Sequence, residues 1–200
     1  MNEKISLQSS LIDVDDSVLI VIDFQESFLE KFPVEERELL VNRIGWLVSV
    51  AARVNVPLVV MAEDLPRLGG IAPQVAERLP TGIHVHNKMI FGLADNPEII
   101  AAVKGTGRKM AVLVGLETDV CVAHSALGLI QNGFQVVAVA DATGSPGSAH
   151  EVGLERMRRA GVLISSVKSV YYEWLRTVER SSEFREKYFK EIGRPKGIEL

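Results

Sequence analysis

Two hundred residues suffice for one domain with a substantial core, and 47% apolar with 24% charged residues is the balance of a globular chain rather than a disordered one. The formal charge of −4, with no basic stretch to offset it, excludes the electrostatic footprint of a nucleic-acid binder. A single cysteine excludes an internal disulfide and a CxxC redox or zinc pair, and no apolar run approaches the ~20 residues that span a bilayer. The start, Met-Asn-Glu-Lys-Ile-Ser-Leu-Gln-Ser-Ser, lacks the basic head and long apolar core of a signal peptide, so the expected location is the cytoplasm.

Residues 1–16 read as a polar lead-in arm. Ser17 to Asp23 is an unbroken apolar run ending on an acid, the pattern of a strand covered on both faces. Leu39, Leu40, Ile44, Leu47, Val48 and Ala51 then follow helical spacing within 35–55, with Trp46 expected at the edge of the buried face. A second strand over 57–62 leads into a Pro/Gly-rich loop through Pro80, long enough to suggest a functional segment. A short third strand covers 83–88. Asn96-Pro97 starts a helix to about Lys104, with proline in its first turn.

Met110 to Val114 forms a fourth strand, and Val122 to Asn132 a helix stopped by Gly133. A fifth strand, 134–140, ends on Asp141. A helix over 148–160 and a sixth strand over 162–165 follow, and residues 169–192 read as a helical tail with one aromatic side. Strands alternating with helices predict a single α/β domain over 1–200, with its core at about 17–168 and a tail over 169–200. The expected architecture is a doubly wound, Rossmann-like three-layer α/β/α sandwich with a six-stranded, mostly parallel sheet. The aromatic tail suits packing on the domain's own core and a subunit interface equally.

Cys121 stands where the fourth strand passes into a helix. Helix N-termini present free N–H groups and a positive dipole end, which favour a thiolate and can bind an oxyanion. The plainer reading of a lone cysteine is a small buried hydrophobe. Ligands of open parallel sheets bind outside the C-terminal strand ends, and Asp23, Lys88 and Cys121 all fall on that edge. An acid, an amine and a thiol there make an activated nucleophile: Asp23 takes the thiol proton, and the charge of Lys88 lowers the thiol pKa.

Val-Ile-Asp23-Phe-Gln25, Lys88 followed by Phe91, and Gly115-Leu-Glu-Thr-Asp-Val-Cys121-Val together resemble the isochorismatase-like cysteine hydrolases. That family includes nicotinamidases, carbamoylsarcosine amidases and ureidoacrylate amidohydrolases. The resemblance covers roughly 17–168, with Ala140-Asp141-Ala142 and Arg156 to Gly161 as weaker matches. It implies Cys121 as nucleophile, Asp23 as general base and Lys88 as the residue that lowers the thiol pKa. It also implies a non-proline cis peptide at Leu116-Glu117, and an oxyanion hole from the backbone N–H groups of Glu117 and Cys121. Members with this triad cleave an amide or ureido C–N bond through a thioester.

Nicotinamidases carry an Asp-x-His and further histidines after the second strand; here Ala62 to Gly70 holds no histidine. His84 and His86 share a strand face, but two ligands lack a third, and no metal or other cofactor is expected. True isochorismatases lack the cysteine. Gln25, Phe28, Asp64, Arg67, Phe91 and Thr118 are candidate substrate contacts, with Arg67 suited to a carboxylate but more readily read as an exposed loop arginine. Glu117 stands where many relatives have a small residue, and is read as narrowing the pocket or favouring amine-bearing substrates. No GxGxxG or GxxxxGK[ST] follows any strand. The expected partners are a small-molecule substrate and further copies of the chain, with no nucleic acid and no membrane. Two other readings remain: a redox-responsive or scaffolding relative with little turnover, and a nicotinamidase that recruits His84 and His86.

Overall fold

The computed structural model describes residues 11–200, so most of the expected lead-in arm lies outside the described residues. The elements in chain order are β1 (Ser17–Ile22), α1 (Glu26–Leu29), α2 (Val34–Arg53), β2 (Leu58–Glu63), α3 (Leu65–Leu68), α4 (Pro73–Ala76) and β3 (Val85–Lys88). They continue with α5 (Pro97–Gly105), β4 (Met110–Leu116), α6 (Ala123–Gln131), β5 (Gln135–Gly144), α7 (Ala149–Arg159), β6 (Leu163–Ser165), α8 (Val167–Leu175) and α9 (Val178–Ile192). The sheet order is β3-β2-β1-β4-β5-β6, and every neighbouring pair is parallel. The mostly parallel expectation therefore becomes a fully parallel sheet.

β1 and β4 are buried along their whole length, because they lie at the centre of the sheet with helices on both faces. Strand alternation divides their side chains between two cores. Leu19, Val21, Val112 and Val114 join α2, α8 and α9 on one face. Val18, Ile20, Ala111 and Leu113 join α5, α6 and α7 on the other. Each such Val, Leu or Ile contributes about 1.5–3 kcal/mol by leaving water.

Three expectations are corrected. Trp46 is fully buried rather than at a helix edge. Its ring lies 5.1 Å from that of Tyr171, and its indole N–H donates to Gly193 O at 3.1 Å. The tail is two helices, interrupted where Arg176 takes φ 67° and the Thr177 side chain caps α9 by accepting from the Arg180 N–H. Tyr171, Trp174, Leu175 and Phe184 are buried in the same core as α2, so this aromatic side packs inward. β5 runs beyond Ala140 through a register shift opposite Leu113–Gly115, so Asp141 lies within a strand, where its Oδ1 accepts the Val167 N–H at 2.8 Å.

The long loop after β2 is ordered by one-turn helices α3 and α4 and by the Ala72 N–H, which donates to Phe24 O at 2.8 Å. Among the described residues no helix is long and apolar enough to cross a membrane.

Candidate active site

The connections out of β1 and β4 diverge to opposite sides of the sheet, which places a crevice at their C-terminal ends. Asp23 follows β1 and Cys121 follows β4, one on each side of that crevice. β2 and β3 end on Glu63 and Lys88. Lys88 Nζ lies 2.9 Å from Asp23 Oδ2, 3.5 Å from Cys121 Sγ and 3.8 Å from Glu63 Oε2. The Cys121 thiol donates towards Glu63 Oε2 at 3.7 Å, and one oxygen each from Asp23 and Glu63 lies within 4.8 Å of Sγ. Asp23 and Lys88 are fully buried and Cys121 is 3% exposed.

Burial dominates the electrostatics. Asp23 is raised from 3.8 to about 6 by desolvation and by the neighbouring Glu63, with Lys88 opposing both. No described residue donates to its carboxylate with good hydrogen-bond geometry, so Lys88 supports its charge as an ion pair. Desolvation, then the Asp23 charge, push the Cys121 thiol above its ordinary range, and the opposing charge of Lys88 is outweighed. Burial and the adjacent carboxylates thus favour the neutral thiol over the thiolate. Asp23, Glu63 and Cys121 also form a possible metal donor set. The cation those three groups surround is the Lys88 ammonium.

Glu63 escaped the sequence reading, although the signal matched that of Asp23: an acid closing an apolar strand. Gln25, expected to meet substrate, is buried and hydrogen-bonded to the backbone around Glu63. Its Nε2 donates to Glu63 O at 2.9 Å and Gly69 O at 2.7 Å, while its Oε1 accepts the Glu63 N–H at 2.8 Å. These bonds tie the segment after β1 to the backbone on either side of α3.

Two glycines allow the backbone to close around the cluster. Gly115 takes φ 123°, and a Cβ there would run into the Ile22 carbonyl, so β4 reaches β1 closely only without a side chain. At Gly153 in α7 a Cβ would lie 2.7 Å from Asp119 Cα, against the turn that carries Cys121. That turn, Thr118–Val122, is π-helical and runs directly into α6, so Cys121 lies one turn ahead of the α-helix proper. The Leu116-Glu117 peptide is cis. The amides of Val120 and Val122 donate to Glu117 O, and that of Asp119 to Ser145 Oγ.

Of the remaining candidates, Thr118 is buried with Oγ1 2.9 Å from His150 Nδ1. Phe28 is buried in the core at 9% exposure, with Lys31 Nζ 4.6 Å above its ring. Lys31 also pairs with Glu117 Oε1 at 2.8 Å, so the Glu117 carboxylate already has an ammonium partner. Arg67 is largely exposed and pairs with Asp64 at 2.6 Å. Phe91 is half exposed, its ring centroid 5.8 Å from Lys88 Nζ, in an exposed apolar run with Met89 and Ile90.

Fold and cluster define a doubly wound α/β protein with a buried thiol, amine and carboxylate and a second, partly exposed carboxylate at the C-terminal edge of its sheet. The profile of the isochorismatase domain matches residues 17–169, and the chain belongs to that family of hydrolases. It is 33% identical over 161 residues to the secreted isochorismatase effector Isc1 of Phytophthora sojae, covering 78% of this chain and 76% of that protein. Its fold resembles YcaC from Pseudomonas aeruginosa, solved with hexane-2,5-diol and covalent acrylamide (27% identity, TM-score 0.80, 89% of each chain). It also resembles the YcaC product of Escherichia coli, described as an octameric hydrolase of unknown specificity (22% identity, TM-score 0.78, 92% of this chain and 94% of that one).

Proposed function

We propose that this chain is a cysteine-dependent hydrolase of a small amide or ureido C–N bond, working through a thioester. The observation that carries the reading is the meeting of Asp23 and Cys121 at one buried ammonium: Lys88 Nζ lies 3.5 Å from Cys121 Sγ and 2.9 Å from Asp23 Oδ2. Asp23, ionised above about pH 6, takes the thiol proton as sulfur adds to the carbonyl carbon. The negative charge then passes to the carbonyl oxygen, held by the backbone N–H groups of Glu117 and Cys121. Asp23 returns the proton to the leaving nitrogen as the C–N bond breaks, and a thioester remains. Water, deprotonated by Asp23, adds to the thioester, and the released sulfur recovers the proton. Lys88 offsets the charge of Asp23 throughout.

Covalent acrylamide in the Pseudomonas relative supports a reactive nucleophile in this fold, since acrylamide is an acceptor to which thiols add. The exposed Met89, Ile90 and Phe91 beside Lys88 support a homo-oligomer, as the octameric relative does. The testing experiment is ammonia release from nicotinamide, carbamoylsarcosine, ureidoacrylate, maleamate and aliphatic amides, beside Cys121→Ala. Turnover of one substrate that disappears in the variant is expected. Turnover that persists in the variant overturns the reading. So does inertness on the whole panel together with a Cys121 that no electrophile labels in the folded protein.

A further inference from the structure

His86 lies in β3 and His84 just ahead of it, on either side of Val85, and their ring centroids lie 4.5 Å apart. Among the described residues β3 is an edge strand, paired only with β2. Glu98, in the first turn of α5, reaches back to both rings and supplies the third donor that the sequence alone did not reveal. His86 Nδ1 lies 3.2 Å from Glu98 Oε1 and His84 Nε2 lies 3.5 Å from the same oxygen. All three donor atoms lie within 4.8 Å of one another. A tetrahedral zinc with bonds of about 2.0–2.1 Å places neighbouring donors about 3.3–3.4 Å apart. The two spacings to Glu98, 3.2 and 3.5 Å, lie on either side of that value.

We infer that His84, His86 and Glu98 form a binding site for one divalent transition-metal ion, zinc by preference, separate from the Cys121 cluster. Two imidazoles and a carboxylate are borderline donors suited to zinc, and leave a fourth position for water. The His84 and Glu98 side chains are 68% and 78% exposed, so the ion enters from solvent, while His86 at 12% is held by its surroundings. The two rings stand edge to face, 4.5 Å between centroids. Among the described residues no lysine or arginine pairs with Glu98, in contrast to the Asp23–Glu63–Cys121 group, where Lys88 occupies the centre. Occupancy ties the edge strand to α5, and that strand ends in Lys88.

The test uses the tag-free, full-length chain stripped of metal, titrated with Zn²⁺ against a chromogenic chelator and with Co²⁺ for its visible spectrum. One ion per chain is expected, bound roughly tenfold or more weaker in Glu98→Gln and His86→Ala and unchanged in Cys121→Ala. Glu98 is exposed, so Glu98→Gln should melt like the parent without metal, which separates ligand loss from misfolding. The cobalt complex should lack the thiolate charge-transfer band. No stoichiometric ion, or binding that survives Glu98→Gln, overturns the inference. Binding lost in Cys121→Ala together with a thiolate band assigns the ion to the other cluster and equally overturns it.

Discussion

The ammonium of Lys88 lies 2.9 Å from Asp23 Oδ2, and neither side chain is exposed at all. A buried pair of this kind resists the removal of either partner, typically by about 3–5 kcal/mol. Folding raises Asp23 from 3.8 to about 6, so its contribution to stability is complete below 3.8 and is lost as pH rises through about 6. Lys88 limits that loss. Lys88→Met should therefore destabilise the chain more at pH 7.5 than at pH 5, as read by urea midpoints against the parent. Equal losses at both values would show that the pair does not govern the charge on Asp23.

In the proposed reaction the raised Asp23 also sets the pH dependence of turnover. The carboxylate can accept a proton only when ionised, so kcat/KM should rise with pH through an apparent value near 6. Asp23→Asn should lower kcat by about 10²–10⁴-fold and abolish that limb. A limb that persists unmoved in the variant belongs to another group.

Glu63 raises both Asp23 and Cys121 by its charge. Glu63→Gln should move the acidic limb below 6 and quicken alkylation of Cys121 by iodoacetamide at pH 8. In the parent that alkylation should be slow at neutral pH and accelerate as pH rises, since burial holds the sulfur as a thiol. Fast labelling of the parent at pH 7 would contradict a raised thiol.

Gln25 makes three hydrogen bonds to the backbone around Glu63 and Gly69. At about 0.5–1.5 kcal/mol each, Gln25→Ala should cost about 2–4 kcal/mol in thermal or denaturant unfolding. Turnover should fall with KM nearly unchanged if Gln25 positions Glu63 without touching substrate. A rise in KM alone would restore the substrate-contact role expected from the sequence.

Gly115→Ala places a methyl against the Ile22 carbonyl in a backbone region that suits glycine. The variant should be recovered unfolded or not at all. Gly105→Ala, at a helical glycine with open space around it, should keep or slightly raise the melting temperature. Comparable melting of the two variants would remove the close approach of β4 to β1 as a constraint.

Much of this was legible because strands announce themselves locally. The unbroken apolar runs ending in Asp23 and Gly115 mark central parallel strands, and periodicity located most helices within a few residues. Glu63 ended a strand as visibly as Asp23, and was overlooked only because no motif drew attention to it. The tail's break at Arg176 had weaker signals, since a left-handed arginine carries no sequence mark. Trp46 was placed at a helix edge because its burial depends on Tyr171 and Phe189, far along the chain.

The chain's own order of residues determined the strand and helix periods, the sheet edge on which Asp23, Lys88 and Cys121 stand, and the family motifs. These depend on spacing within a few residues. Which strands are neighbours, that Lys88 reaches both Asp23 and Cys121, and that Glu98 closes on His84 and His86 were decided only by the tertiary structure. The charge state of the sulfur belongs with them: a carboxylate or ammonium acts on a thiol through distance and the loss of water around it, and both arise only when remote segments pack.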